Sequence, residues 1–260
     1  MRRINLAKVV MVTSALGLPV AALAAGGFDG TWKISLAHVQ LSKKPDVYAL
    51  ANGEFTCSSC APAYTVKADG SDQKVTGHYY DTAAVSAAGG TVTFTFKLHG
   101  KVLTKTKNVV SGDSISEEYT DFTGAAPFVL KTTLTRVSAG AAGSDPISGS
   151  WRTTKVDSVS DSGSSVSYAI TDDGFTMTSN GQSYAAKFDG KKYAVDGDPT
   201  HTKVVVKMIS PTQVEERDYQ RGKLVGINVM SVSTDGKTIH VTATDVPTGR
   251  TTHYTMDKTS

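Results

Sequence analysis

The chain has 260 residues with 27 lysines and arginines against 24 aspartates and glutamates, a formal net charge of +3. Three of these basic residues, Arg2, Arg3 and Lys8, lie in residues 1–24, which hold no acidic residue, so 24 basic and 24 acidic residues remain in the rest. A chain without net charge has no field that attracts a phosphate backbone, which excludes nucleic acid as a partner.

Residues 1–24 have the pattern of a secretory signal peptide. Basic residues come first, an apolar run covers residues 9–20, and Ala22-Leu-Ala24 is typical of a cleavage site. The alternative is an N-terminal membrane anchor, which needs about 20 apolar residues, more than this run supplies. We therefore predict cleavage after Ala24, a periplasmic or secreted protein, and no membrane span after processing.

Alternation of apolar and polar residues predicts strands through most of the remaining chain. Residues 91–98 alternate strictly, with Val92, Phe94, Phe96 and Leu98 on one face. Asp-Gly, Asn-Gly and Gly-Gly pairs separate such stretches, and these pairs favour tight hairpins. With no sustained helical period, the pattern indicates all-β structure and up-and-down antiparallel barrels without open edges.

Cys57 and Cys60 are the only cysteines, and they bracket a predicted hairpin tip. In an exported protein such a pair is expected to form a disulfide. A redox-active pair would need a helix after the first cysteine, and none is predicted. A metal site would need two further ligands, with His78 as the nearest candidate; we predict no metal and no cofactor.

The chain repeats itself at a spacing of about 120 residues. Residues 28–33 return at 147–152, residues 64–70 return at 184–190, and Gly100-Lys101 returns as Gly222-Lys223. A period of this length is a whole small domain. Residues 138–146 contain mostly small residues and read as a linker. We therefore predict barrels at 25–137 and 147–260; the alternative is one larger barrel shared by both halves.

The two copies differ on one strand. Aligned through Gly100 and Gly222, Phe94 matches Glu216 and Phe96 matches Asp218. Carboxylates inside a barrel are costly unless they are paired or hydrated. Either the second barrel has a polar cavity, or a bulge turns these side chains outward and leaves Glu215 and Arg217 as a surface pair.

The repeated Gly-Thr-Trp32-Lys and Gly-Ser-Trp151-Arg resemble the first strand of the calycins, the superfamily of lipocalins and fatty-acid-binding proteins. The resemblance implies that each tryptophan plugs the closed end of its barrel. It also implies that a cation from the last strand of the same copy packs on the indole. The candidates are Arg136 for the first copy and Lys258 for the second.

Two departures limit what the resemblance implies about cargo. Fatty-acid-binding proteins have two lid helices after the first strand, whereas residues 156–165 here predict a loop. Their carboxylate-binding Arg-x-Tyr is replaced by Thr252 and Tyr254. More loosely, the chain resembles duplicated, secreted lipocalin-like proteins of bacteria. These similarities concern the fold more than the ligand.

We therefore expect a non-catalytic protein that binds a small apolar or amphipathic molecule inside a barrel. The candidate binding residues are Tyr168, Tyr184, Glu216 and Asp218. The alternative is a structural or cell-surface interaction protein whose barrels are filled by their own side chains. We do not expect an enzyme, because no nucleophile is paired with a base and no phosphate-binding or dinucleotide-binding motif is present.

Overall fold

The computed structural model describes residues 27–260, which form twenty strands and no helix. The strands make two ten-stranded antiparallel sheets, each curled into a nearly closed barrel. This confirms the predicted all-β class and the two barrels, and it excludes one large shared barrel. None of the described residues belongs to a helix that could cross a membrane. The predicted signal peptide, residues 1–24, lies outside the described residues.

The first barrel, barrel N, is built from ten consecutive strands of the chain. These are β2 (Asp46–Ala51), β3 (Glu54–Cys57), β4 (Tyr64–Lys67), β5 (Gln73–Lys74), β6 (Thr82–Ala88), β7 (Thr91–Leu98), β8 (Lys101–Ser111), β9 (Ser114–Asp121), β10 (Phe128–Ala139) and β11 (Gly149–Val159). In the sheet, β5 to β11 follow one another in sequence, and β2, β3 and β4 continue beyond β11.

The second barrel, barrel C, takes one strand from the start of the described chain and nine from its second half. These are β1 (Gly30–Gln40), β12 (Ser165–Ile170), β13 (Gly174–Ser179), β14 (Gln182–Lys187), β15 (Tyr193–Ala194), β16 (Lys203–Ser210), β17 (Gln213–Gln220), β18 (Lys223–Val232), β19 (Thr238–Asp245) and β20 (Arg250–Lys258). Here β15 to β20 follow one another, then β1, then β12, β13 and β14.

The two repeats exchange their first strands. β1 pairs with β20 and β12, so that Trp32 lies opposite Lys258 and Val166. β11 pairs with β10 and β2, so that Trp151 lies opposite Arg136 and Asp46. Each barrel is therefore completed by the first strand of the other repeat.

The exchange corrects the predicted domain boundaries. Residues 138–146 are not a linker between barrels, because they end β10 and form the turn that leads into β11 of the same barrel. The chain passes between barrels at two other places, residues 41–45 and 160–164. The predicted barrels at 25–137 and 147–260 are thus each wrong in their first strand.

A few hydrogen bonds near the sheet ends close each barrel. In barrel N, Asp69 bridges to Ser86, and the Gly70 amide donates to the Val85 carbonyl at 2.7 Å. In barrel C, Ser183 bridges to Asp196 through two backbone hydrogen bonds, of 3.1 and 2.8 Å. Pairing the sheet ends in this way satisfies backbone groups that an open edge would expose.

The repeated Gly-x-Trp motif builds the closed end of each barrel. Trp32 and Trp151 are fully buried, and each indole Nε1 donates at 2.7 Å to a carbonyl four residues earlier, of Phe28 and Ile147. Gly30 and Gly149 have φ of 126° and 125°, and a Cβ there would collide with the carbonyl oxygens of Ser260 and Ser138. Only glycine fits at this turn into the strand.

Because the first strands are exchanged, each tryptophan lies beside a cation from the other repeat. The Arg136 guanidinium lies 4.0 Å from the ring centroid of Trp151, and the Lys258 Nζ lies 5.3 Å from that of Trp32. The predicted pairing within one copy, Arg136 with Trp32 and Lys258 with Trp151, is therefore wrong. The cation does come from a last strand, but the tryptophan beside it comes from the other repeat.

Candidate functional site

The open ends of the two barrels lie against each other. At one side, Arg250 of barrel C donates to Asp46 Oδ1 at 2.7 Å and to the Pro45 carbonyl at 2.8 Å. At the other side, the Asn180 side chain exchanges hydrogen bonds of 3.0 and 2.8 Å with the backbone of Ala126. These contacts place the interior of each barrel next to the rim of the other.

Barrel N contains a cavity of about 610 Å³. Residues of barrel C, among them Val225, Pro247 and Arg250, complete its wall at the rim. The wall within barrel N is mainly aromatic, with Tyr48, Phe55, Tyr64, His78, Tyr79, Tyr80, Phe94, Phe96 and Tyr119. Aromatic walls of this kind suit the apolar body of a small ligand.

Polar atoms without partners lie along the same cavity. Asn108 is 1% exposed, and neither its Oδ1 nor its Nδ2 makes a hydrogen bond of good geometry, although the amide lies opposite Glu117 and opposes the rise of the pKa of that carboxyl group. His78 stacks on Tyr80 at 4.6 Å, and its Nε2 also has no partner. Because an unpaired buried amide costs about 1–3 kcal/mol, such atoms mark places where a ligand group would be stabilising.

Two titratable side chains of this cavity are shifted toward their neutral forms. Burial raises the pKa of Glu117, although the Thr132 hydroxyl donates to its Oε1 at 3.1 Å and opposes the shift. Burial lowers the pKa of His78. Both effects follow from the cost of a charge among apolar side chains.

Barrel C contains a smaller and more polar cavity of about 320 Å³. Val214 on β17 is fully buried in the core, so Glu216 and Asp218, two and four residues later, lie on the same inner face. Both carboxyl groups line the cavity. The strand does have a bulge, but it falls after Asp218. The prediction of a polar cavity is thus confirmed, and the outward alternative is wrong for these two residues.

The carboxyl groups form one hydrogen-bonded cluster with two neutral side chains. The Tyr184 hydroxyl donates to Glu216 Oε2, and Asn228 Nδ2 donates to Glu216 Oε1 at 3.1 Å and to Asp218 Oδ2 at 3.3 Å. Asn228 therefore joins the two carboxyl groups. Gly226 faces Asp218 across the strands, and a Cβ there would lie 2.7 Å from Asp218 Oδ2.

Both carboxyl groups of the cluster favour their protonated forms. Burial raises the pKa of Glu216, against the hydrogen bonds that it accepts. Burial and the neighbouring Glu216 raise the pKa of Asp218 to about 8. Two carboxyl groups this close share a proton, because removing it would leave two adjacent buried charges.

The predicted tyrosines separate into two roles. Tyr184 is 3% exposed and lines the cavity of barrel C. Tyr168 is not among the cavity-lining residues; it packs in the core, stacked on Phe175 at 5.1 Å. Tyr168 is therefore part of the core packing, and its prediction as a binding residue stays a prediction. Glu215 and Arg217 do form the expected outer pair, at 2.7 Å.

Cys57 and Cys60 form the predicted disulfide, with a Cα–Cα distance of 5.5 Å. Cys57 is fully buried at the end of β3, and Cys60 lines the cavity of barrel N. Because both sulfurs are bonded to each other, they are not metal ligands beside His78. The disulfide holds the loop between β3 and β4 at the rim of this cavity.

Sequence reasoning missed two asparagines. Asn228 lies directly opposite Glu216 in the hairpin that turns at Arg221 and Gly222, but counting back from that turn gives Ile227, because the bulge after Asp218 shifts the register by one residue. Asn108 lies opposite Val92, whose inward position was predicted. In both hairpins a bulge near the turn shifts the cross-strand register by one residue, so the sequence carried no simple signal for either asparagine.

No protein-family model, no curated protein and no solved structure matches this chain.

Proposed function

We propose that the protein binds a small amphipathic molecule in the cavity of barrel N without transforming it chemically. The observation that carries this proposal is the aromatic cavity of about 610 Å³ in barrel N, along which the buried Asn108 amide lies. Ligand cavities of about 300–1,000 Å³ combine mostly apolar walls with a few polar groups that fix orientation.

The chemistry of the walls defines the expected ligand. The aromatic side chains accommodate a flat or chain-like apolar body. The Asn108 amide offers one donor pair and one acceptor, and His78 offers a further ring nitrogen. A molecule with an apolar body and one hydrogen-bonding end satisfies both parts of the wall.

The alternative is a structural protein with solidly packed barrels. The size of the cavity in barrel N supports binding over that alternative, because packed interiors leave few voids larger than a water molecule. We also propose that the barrels are of calycin type, supported by the Gly-x-Trp motif and the cation on each indole. Export is the remaining part of the proposal, and the disulfide supports it.

A neighbouring pair of residues on β8 allows a matched test. Thr106 lines the cavity, whereas Lys107 is exposed on the outer face of the same strand. We expect Thr106→Trp to fill the cavity and Lys107→Trp to leave it open. The measurement is a fluorescence titration with the neutral solvatochromic dye Nile red, with thermal unfolding as the check that both variants fold.

The proposal predicts saturable dye binding by the natural protein and by Lys107→Trp, and binding at least about tenfold weaker by Thr106→Trp. Should folded Thr106→Trp bind the dye as well as Lys107→Trp does, the cavity of barrel N is not the binding site.

A further inference from the structure

The two cavities lie next to each other between the barrels and share part of their lining, and the two together are called the chamber. Tyr79, Tyr119 and Gln220 line both of them. Gln220 comes from barrel C, and the two tyrosines come from barrel N. A ligand whose apolar body lies in barrel N therefore faces the polar cluster of barrel C directly.

The chamber is acidic, although the chain outside residues 1–24 has no net charge. Its lining includes seven acidic residues: Asp46, Glu117, Asp121, Asp198, Glu216, Asp218 and Asp245. Among the described lining residues, the basic ones are Arg250, which is paired with Asp46, and His78, whose pKa burial lowers. The cavity of barrel C has no basic side chain in its described lining.

We propose that the chamber selects an amphipathic organic cation, with its ammonium group on Glu216 and Asp218 and its apolar body among the aromatic side chains of barrel N. This inference rests on the proposed function, because it names the ligand class of that same chamber. An ammonium group offers donors that the two carboxyl groups, joined by Asn228, accept together.

Unpartnered polar side chains along the chamber also support a ligand there, and this support does not depend on the acidic residues of the chamber. Thr104 Oγ1 in the cavity of barrel C and Asn108 Oδ1 in that of barrel N make no hydrogen bond of good geometry, although Thr104 lies near the Tyr79 hydroxyl and Asn108 near Glu117, and both residues are 1% exposed. The aromatic rings of Tyr79 and Tyr119 lie between the two cavities. Their faces attract a cation that passes from the rim to the carboxyl pair.

Binding should release a proton. In the empty chamber the Glu216–Asp218 pair retains one proton, because losing this proton would leave two adjacent negative charges. The groups that face the pair are Tyr184 of β14, Tyr168 of β12 and Tyr254 of β20, and Asp198 from the loop after β15. The nearest cation is Arg250 of β20, which lines a further cavity together with Asp218 but is paired with Asp46. An arriving ammonium group supplies the missing positive charge, and the shared proton leaves to the buffer.

The test compares three probes that share a phenylalkyl body and differ in the charge of the end group. They are 4-phenylbutylammonium, 4-phenylbutan-1-ol and 5-phenylpentanoate, in which the same phenylbutyl body carries an ammonium, a hydroxyl and a carboxylate group. Isothermal titration calorimetry of the full chain at pH 7, in two buffers of different ionisation enthalpy, gives the affinity and the protons released. We expect the ammonium probe to bind at least about tenfold more tightly than the alcohol, the carboxylate to bind most weakly, and the ammonium probe alone to release protons.

The double variant Glu216→Gln, Asp218→Asn tests the assigned site, and Glu215→Gln on the outer face of the same strand is its control. The double variant should weaken the ammonium probe about tenfold or more and leave the alcohol within about twofold. Glu215→Gln should change neither.

Two results overturn the inference in different ways. If the alcohol binds as tightly as the ammonium probe, or the double variant leaves the ammonium probe unchanged, cation selection by this pair is refuted while the binding function stands. If none of the three probes binds, the proposed function fails together with the inference.

Discussion

Asn228 and Gly226 explain how barrel C accommodates two carboxyl groups on its inner face. Asn228 donates to both Glu216 and Asp218, and Tyr184 donates to Glu216. Gly226 leaves space beside the Asp218 carboxyl. Neutral donors and a shared proton replace the water that these groups lose on burial, so no cation is needed in the empty protein.

The shared proton makes stability depend on pH. Asp218 has a pKa near 3.8 when unfolded and about 8 in the folded protein. Its contribution to stability is therefore fully present below about pH 4 and is lost as the pH rises toward 8. Asp218→Asn should remove this loss, raising the free energy of unfolding at pH 8 by roughly 1–3 kcal/mol relative to the natural protein.

Urea unfolding at several pH values between 4 and 8.5 measures this effect. Glu215→Gln serves as the control, because its side chain lies on the outer face, and it should keep the profile of the natural protein. An Asp218→Asn profile parallel to that of the natural protein would show that Asp218 ionises normally in the folded state.

At the residue scale the sequence offered the polar cavity as one of two alternatives and did not predict the partners of the two carboxyl groups. Period-2 alternation from Val214 places Glu216 and Asp218 inside without any knowledge of tertiary structure. Tyr168 follows the same rule, yet it packs against Phe175 in the core and is not one of the lining residues of the cavity. Alternation identifies the face of a strand on which a residue lies. It does not give the position along the barrel axis, and this position decides whether an inward side chain lies in the core or lines the cavity.

At the scale of elements, β1 and β11 are the strands that close the barrels. Each brings a buried tryptophan with a hydrogen bond to a carbonyl four residues earlier, and each lies beside a cation from a neighbouring strand. Ile147 and Trp151 belong to the core of barrel N, and Phe28 and Trp32 belong to the core of barrel C. Each Gly-x-Trp motif thus fixes the first strand of one repeat in the barrel of the other repeat.

Removing either indole should leave a large cavity at the closed end of a barrel. We expect Trp151→Ala and Trp32→Ala each to lower the free energy of unfolding by about 3–5 kcal/mol, as for other fully buried aromatic residues. Chemical denaturation of each variant measures the cost. A cost below about 1 kcal/mol for either variant would show that its tryptophan does not plug a barrel.

The hairpins were predictable from sequence, whereas the strand exchange was not. Turns such as Asn180-Gly181, with a positive φ at both residues, carry a local signal. The exchange carries none, because β1 and β11 present the same motif and each fits the gap in either barrel. Only the short connections at residues 41–45 and 160–164 and the packing of the whole molecule decide between the two arrangements.

At the scale of the whole molecule, the strand exchange joins the two barrels, and their open ends lie against each other. Two separate connections of the chain cross between the barrels, and Arg250 with Asp46 adds a further link beside the chamber. The binding chamber therefore depends on both repeats, because residues of both barrels line each of its cavities.

Cross-linking of paired cysteines tests the strand exchange most directly, and with it the claim that both repeats form the chamber. Lys33 lies opposite Asp257 of β20, and both are exposed. In an unexchanged barrel, Lys33 would take the place of Arg152 opposite Thr135 of β10. Cysteines on adjacent strands lie within disulfide reach. We predict that mild oxidation followed by peptide mapping finds a cross-link in Lys33→Cys, Asp257→Cys and none in Lys33→Cys, Thr135→Cys; the opposite result would contradict the exchanged fold.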